Sequence, residues 1–75
     1  MNKLEKCRKT FNLSLDYVAK YLNLSTYDYT LIEKGIVFPN CTQIEKLENL
    51  YKLDFKDIIQ KIREHELEQE YNSRE

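Results

Sequence analysis

Apolar residues recur every three or four positions in five consecutive segments of the chain, and polar residues fill the positions between them. This spacing places the apolar side chains of each segment on one face of a helix. The five faces are, in chain order, Leu4, Cys7 and Phe11; Leu15, Val18, Ala19 and Leu22; Tyr29 and Ile32; Cys41, Ile44, Leu47, Leu50 and Tyr51; and Phe55, Ile58, Ile59 and Ile62. The pattern predicts an all-α protein, a compact bundle of four to five helices.

Residues that cap helices precede each of these segments. Short polar side chains accept hydrogen bonds from the free N–H groups of a first turn, and a side chain three positions later can bond back in a capping box. Capping-box spacing is present at Asn2–Glu5, Ser25–Asp28 and Asn40–Gln43, and single capping residues are present at Ser14 and Asp54. The third helix is therefore predicted at about residues 26–34, and Gly35 ends it because glycine tolerates left-handed backbone.

The second and third predicted helices are joined by a short connection. In Leu22-Asn23-Leu24-Ser25, Asn23 suits a left-handed turn, Leu24 is expected to be buried, and Ser25 caps the next helix. Two short helices joined in this way inside a bundle predict a helix-turn-helix. The apolar pattern ends at Ile62, so we expect a helix-turn-helix domain at residues 1–62 and an acidic C-terminal helical extension or tail at residues 63–75.

Composition narrows the function classes. The net charge is −1, with six basic and four acidic residues in 1–34 and three basic and five acidic residues in 61–75. A generic polyanion binder usually has a clear basic excess. No nucleophile, base and orienting group can be assembled and no metal-ligand spacing exists, so we expect neither an enzyme nor a cofactor. Cys7 and Cys41 are expected to be small buried residues, although one disulfide stays open.

No targeting signal is visible either. The N-terminal residues MNKLEKCRKT contain no apolar core of a secretory signal, and no apolar run approaches the roughly 20 residues that span a bilayer. We therefore expect a cytoplasmic protein without a membrane partner.

Several motifs resemble a known family. The chain contains Asn12-Leu13-Ser14, Val18-Ala19, Leu22-Asn23-Leu24-Ser25, Tyr29, Ile32-Glu33-Lys34-Gly35 and Pro39 in register. This series is similar to the phage-repressor (Cro/Xre-type) helix-turn-helix family over about residues 4–59. The resemblance implies a lambda-repressor-like DNA-binding domain. It also implies a repressor-type transcriptional regulator that binds an inverted repeat in double-stranded DNA as a homodimer.

The resemblance also implies roles for individual residues. An ion pair between Arg8 and Glu33 would tie the first helix to the third. By the docking geometry of helix-turn-helix proteins, the recognition helix would enter the major groove. The implied DNA-binding residues are Ser14, Thr26, Tyr27, Asp28, Leu31, Lys34 and Thr42.

Departures from the family leave alternatives open. Leu15 stands where the family often has Gln, and Ile36-Val37-Phe38 stands where it is commonly rich in Lys or Arg. These three residues either cover the core, with Phe38 folded inward, or stay exposed and bind a protein partner. The alternative function is therefore a protein-interaction module on the same fold, anti-repressor or antitoxin-like.

Two further expectations concern the end of the domain. Lys52 replaces a family glycine and would cost roughly 1 kcal/mol if its φ is positive. Ile58, Ile59 and Ile62 exceed what a four-helix core needs, so they form either a dimer interface or part of the chain's own core.

Overall fold

The computed structural model describes residues 2–64. It contains five helices within that range: α1 at Leu4–Thr10, α2 at Leu15–Tyr21, α3 at Thr26–Glu33, α4 at Cys41–Tyr51 and α5 at Phe55–Arg63. No strand occurs in the described range, which confirms the predicted small all-α bundle. The predicted tail falls mostly at residues 65–75, outside the described residues.

Four of the five helices begin as the capping residues predict. Ser14, Ser25 and Asp54 each accept a hydrogen bond from the backbone N–H three residues later, at 2.9–3.0 Å. Asn40 and Gln43 form a full capping box, in which each side chain bonds the other residue's backbone N–H. At Ser25 the structure shows only one half of the expected box, because Asp28 provides its N–H and not its carboxylate.

The prediction of a capping box at the start of α1 is wrong. The N-cap is Lys3, without a side-chain cap, and Asn2 is fully buried. Asn2 accepts from the N–H of Leu4 at 3.1 Å and donates through Nδ2 to the carbonyl of Ile32 at 2.8 Å. Its backbone N–H also donates to the carbonyl of Glu33 at 2.6 Å. Asn2 therefore anchors the start of the chain to the end of α3.

Residues in left-handed backbone end three helices as expected. Asn12 and Asn23 have φ of 61° and 63°, and Gly35 has φ of 80°. Lys52 at the end of α4 has φ of 58°, which is left-handed backbone. The backbone strain expected for a residue with a Cβ in this conformation is therefore present there.

A single apolar core is shared by all five helices. Its largest fully buried side chains include Tyr29, Tyr51, Leu4, Leu47 and Ile58. Ile62 is also buried, only 3% exposed. The isoleucines of α5 thus complete the chain's own core, and Ile58 and Ile62 are not available to a second chain. Among the three residues assigned to a dimer interface, only Ile59 is partly accessible.

Three other expected core residues, Phe11, Cys41 and Phe55, lie at the surface, and Phe55 is 54% exposed at the start of α5. Phe11 is 43% exposed at the C-cap of α1, with its ring 5.8 Å from that of Tyr51. Cys41 is exposed in the first turn of α4, and Cys7 is half-buried; both are free thiols. Each of these residues stands at a helix end, where periodicity alone did not predict exposure.

Candidate nucleic-acid interface

The helix-turn-helix is held together through its turn. The N–H of Leu24 donates to the carbonyl of Ala19 at 2.8 Å, and Asn23 supplies the left-handed residue between them. Leu22 is buried and Leu24 packs against the core from a half-buried position. On α3, Tyr29 and Ile32 point into the core, so the opposite side of the helix faces solvent. The sequence places this turn correctly.

The first turn of α3 presents three exposed residues. Thr26, Tyr27 and Asp28 are consecutive, and the Tyr27 side chain is 71% exposed. Leu31, one turn further on, is half-buried, and Lys34 is exposed at the C-cap. The structure therefore brings the expected recognition residues onto one short helix, with a hydroxyl, an aromatic ring and a carboxylate at its N-terminal end.

Sequence reasoning missed Asp16 as part of this surface. The Thr26 hydroxyl donates a hydrogen bond to Asp16 Oδ1 at 2.9 Å, and both side chains are exposed. The bond joins the first turn of α2 to the first turn of α3. An acidic residue in a first turn is ordinarily explained by the helix dipole, so Asp16 carried no signal of this contact in the sequence.

Ser14 and Thr42 lie at the starts of two other helices. Both are exposed, and Ser14 caps α2 by accepting from the N–H of Tyr17 at 3.0 Å. Thr42 is the second residue of α4. Their hydroxyls are accessible to solvent, which is the condition that a phosphate contact requires.

Two exposed tyrosines lie on α2, and sequence reasoning did not assign them. Tyr17 is 52% exposed and Tyr21 is 37% exposed, although both lie in a short amphipathic helix. The ammonium of Lys46 is 5.8 Å from the centre of the Tyr21 ring and 3.4 Å from the Tyr21 carbonyl oxygen. Tyr17 and Tyr21 are four residues apart and lie outside the apolar face of α2. This spacing could have identified them in the sequence as neighbours on the surface of the helix.

A buried polar network connects the C-terminal end of α3 to α1. Arg8 donates from Nε to Glu33 Oε2 at 2.8 Å and from Nη2 to Oε1 at 3.3 Å. Its Nη1 also donates to the carbonyl of Leu13 at 3.1 Å. The hydrogen bond with Glu33 raises the pKa of Arg8. The ion pair that the resemblance implies is therefore present, and it ties α1 to the end of α3.

Two tyrosine hydroxyls continue this network into the core. The hydroxyls of Tyr29 and Tyr51 lie 3.2 Å apart. Burial raises the pKa of Tyr29, and burial raises the pKa of Tyr51 to about 12. Tyrosine hydroxyls are protonated at neutral pH even when exposed, so one of the two donates to the other, and burial extends this protonation to higher pH.

No family model, no curated protein and no solved structure matches this chain. The likeness to phage repressors therefore stays a prediction from the residues. The function has to be argued from the surface that these residues form.

The loop after α3 is an exposed apolar surface. Ile36, Val37 and Phe38 are 67%, 42% and 53% exposed, whereas Pro39 is buried. The N–H groups of Ile36 and Val37 donate to the carbonyl of Leu31 at 3.0 and 3.3 Å, which fixes the backbone with the side chains outward. Of the two alternatives, the one in which Phe38 folds inward beside Pro39 is wrong, because the Phe38 side chain is exposed.

A second partly apolar surface lies on α5. A groove of about 500 Å³ is lined by Phe55, Lys56, Ile59, Gln60, Arg63 and Glu64. The Phe55 side chain is 54% exposed. Glu64 accepts from Gln60 Nε2 at 2.9 Å, and this bond lowers the pKa of Glu64.

Between residues 2 and 64, no three His, Cys, Asp or Glu side chains are grouped closely enough to hold a metal ion. None of the helices described there is long and apolar enough to cross a membrane.

Proposed function

We propose that this chain is a sequence-specific, DNA-binding transcriptional regulator of the repressor type, acting in the cytoplasm, whose α3 enters the major groove of double-stranded DNA. The observation that carries the proposal is the solvent-facing first turn of α3 within a helix-turn-helix. Recognition helices of this class contact base edges with their N-terminal residues. Thr26, Tyr27 and Asp28 are the exposed residues of that turn.

The chemistry of this turn suits bases better than phosphates. Tyr27 offers a hydroxyl and a ring edge, and Leu31 offers methyl groups for contact with a thymine methyl. Asp28 repels phosphate but accepts hydrogen bonds from base amino groups. Contacts with the DNA backbone therefore have to come from Lys34 and from the exposed hydroxyls of Ser14 and Thr42.

So few backbone contacts favour binding by two chains. Ser14, Lys34 and Thr42 supply about three phosphate contacts per chain, and the phosphate term carries much of the affinity for DNA. A homodimer on an inverted repeat doubles that number. Because Ile58 and Ile62 are buried in one chain, the pairing surface that α5 can offer is formed by Phe55 and Ile59.

Selection from a random pool of duplexes tests the proposal. At moderate salt the protein should enrich an inverted repeat, and fluorescence anisotropy should give an affinity that falls with salt. Lys34 is the one cationic group among these contacts, so a dimer neutralises about two phosphates and the slope of log K against log[salt] should be about −2.

A pair of exposed side chains provides the matched variants. Tyr27→Ala removes a base-facing ring that is 71% exposed, whereas Ile36→Ala trims a loop residue that is 67% exposed. Tyr27→Ala should weaken specific binding by about tenfold, the effect of losing a good base contact, and Ile36→Ala should leave it unchanged. A pool from which no duplex is enriched would overturn the proposal.

The exposed loop favours a second candidate function. Three adjacent apolar side chains at Ile36, Val37 and Phe38 would suit a module that binds another protein. Such a complex would depend little on salt, unlike DNA binding. The same salt titration therefore separates the two functions. The two variants separate them as well, because binding to a protein partner should be weakened by Ile36→Ala and not by Tyr27→Ala.

A further inference from the structure

The groove on α5 is lined by both apolar and basic side chains. Phe55 and Ile59 provide the apolar surface, and the Phe55 side chain is 54% exposed. Lys56 and Arg63 line the same groove, and both are exposed. Within residues 2–64 neither of these two cations belongs to an ion pair. The groove therefore offers apolar contact area together with two positive charges that no described side chain neutralises.

One acidic residue, Glu64, also lines the groove, but its charge is already matched. It accepts a hydrogen bond from Gln60 Nε2 at 2.9 Å, and its Oε1 lies 3.4 Å from the ammonium of Lys3. Carboxylates are therefore missing opposite Lys56 and Arg63. An occupant that carries both apolar side chains and carboxylates would complement the groove in shape and in charge.

The chain itself continues from one end of this groove with a segment of that composition. Glu64 lies at the C-cap of α5, where φ of −89° and ψ of 124° take the backbone out of the helical conformation. Residues 65–75 follow, with the sequence HELEQEYNSRE. They contain four Glu and one Arg, and Leu67 and Tyr71 provide apolar surface.

The length of this segment is sufficient to cover the groove. Phe55 is the first of the nine residues of α5, and a helix of that length extends about 14 Å. A segment as long as residues 65–75 spans at most about 36 Å when it is stretched out. It can therefore turn back at the end of α5 and still reach Phe55. Direct attachment also keeps it at an effective concentration of millimolar order, so that weak contacts suffice.

We propose that residues 65–75 bind intramolecularly in the α5 groove, held by the apolar and basic side chains that line it. A second copy of α5 would bring the same two cations to the contact, whereas residues 65–75 bring carboxylates. The interaction goes beyond DNA binding and does not depend on it. Because Phe55 and Ile59 are also the surface proposed for pairing, the bound segment competes with a second chain for that surface.

Nuclear magnetic resonance on the full chain tests this site. Nuclear Overhauser cross-peaks should connect protons of Leu67 and Tyr71 with protons of Phe55 and Ile59. An isotope-filtered spectrum of mixed labelled and unlabelled chains records only contacts between two molecules, and it should lack these cross-peaks. Their presence in the filtered spectrum would show that a second copy provides the occupant, which would overturn the intramolecular site.

Charge reversal provides the matched variants. In Lys56→Glu/Arg63→Glu the cross-peaks should weaken by about fivefold or more, because like charges then face each other across the groove. The control Lys6→Glu/Lys20→Glu changes the net charge by the same amount at two exposed positions on α1 and α2. It should leave the cross-peaks at their wild-type intensity. Circular dichroism shows whether each variant is folded.

A charge swap separates a specific contact from a general effect of charge. Reversing the segment alone, in Glu66→Lys/Glu68→Lys/Glu70→Lys, should also weaken the cross-peaks, and combining it with Lys56→Glu/Arg63→Glu should restore them. Cross-peaks that are absent from wild type, or that keep their full intensity when only the groove is reversed, overturn the proposal. None of these measurements uses DNA, so a negative result leaves the proposed DNA-binding function intact.

Discussion

Breaking the Arg8–Glu33 pair should remove more than half of the stability of this domain. Glu33 is fully buried and accepts two hydrogen bonds from Arg8, at 2.8 and 3.3 Å. Arg8→Ala leaves that carboxylate without its cation, and removing one partner of a buried pair costs about 3 kcal/mol. A domain of this size is stabilised by roughly 5 kcal/mol in total. The variant should therefore fold, but marginally.

The reverse substitution should cost less. Glu33→Ala leaves an unpaired guanidinium, but the Arg8 side chain keeps 9% exposure and its bond to the Leu13 carbonyl. We expect a loss of about 2 kcal/mol, below the usual range for a buried pair because Arg8 lies at the edge of the core. The double variant Arg8→Ala/Glu33→Ala should lose about 3 kcal/mol, so the coupling energy is about 2 kcal/mol.

Urea titration followed by far-ultraviolet circular dichroism measures these differences. With a slope near 1 kcal/mol per molar urea for a chain of this length, Arg8→Ala should lower the midpoint by about 3 M. Arg8→Lys keeps the charge without the two-pronged geometry and should fall between wild type and Arg8→Ala. If the single losses add to within about 0.5 kcal/mol in the double variant, the pair does not act as a unit.

Three other features of the described residues lead to measurable predictions. Burial raises the pKa of Tyr51 to about 12 in the folded protein, whereas a tyrosine in the unfolded chain has a pKa of about 10. The contribution of the protonated hydroxyl to the free energy of unfolding is therefore complete below pH 10 and is lost toward pH 12. Between these values wild type should lose up to roughly 3 kcal/mol more than Tyr51→Phe in urea titrations, and equal losses would contradict this. Lys52→Gly should raise the free energy of unfolding by about 1 kcal/mol, because glycine carries no strain at a φ of 58°; an unchanged value would count against that strain. Phe55→Glu should lower the mass measured by light scattering if α5 pairs two chains, whereas Phe38→Glu, at nearly the same exposure, should not.

Features that depend on a few neighbouring residues could be predicted from the sequence. Ser14, Asn40 and Asp54 cap their helices because a capping bond spans only three residues. The left-handed turn at Asn23 is equally local. These positions mark where α2, α4 and α5 begin and where α2 ends, and together with the apolar spacing they predict the five helices.

Features that depend on distant parts of the chain could not be predicted in this way. Asn2 has the spacing of a capping box, but its Oδ1 accepts from the N–H of Leu4 and its Nδ2 donates to the carbonyl of Ile32, which lies 30 residues away in the sequence. Ile58 and Ile62 looked like surplus apolar area because the volume left by the other four helices is not visible in the sequence. The bond from Thr26 to Asp16 also requires knowing how α2 crosses α3.

The two ends of α3 are stabilised in different ways, and this bears on how its surface can change. Its C-terminal end is held by Asn2, which bonds the carbonyls of Ile32 and Glu33, and by the Arg8–Glu33 pair. Carbonyls at a helix end lack partners within the helix, so the bond from the Asn2 N–H satisfies the carbonyl of Glu33, whereas the carbonyl of Ile32 also accepts from the N–H of Gly35 at 3.1 Å. The N-terminal turn needs only Ser25 as its cap. Substitutions at the exposed first turn should therefore change what α3 binds at little cost in stability, whereas substitutions at Asn2 or Arg8 should lower stability and leave the binding preference of the folded protein unchanged.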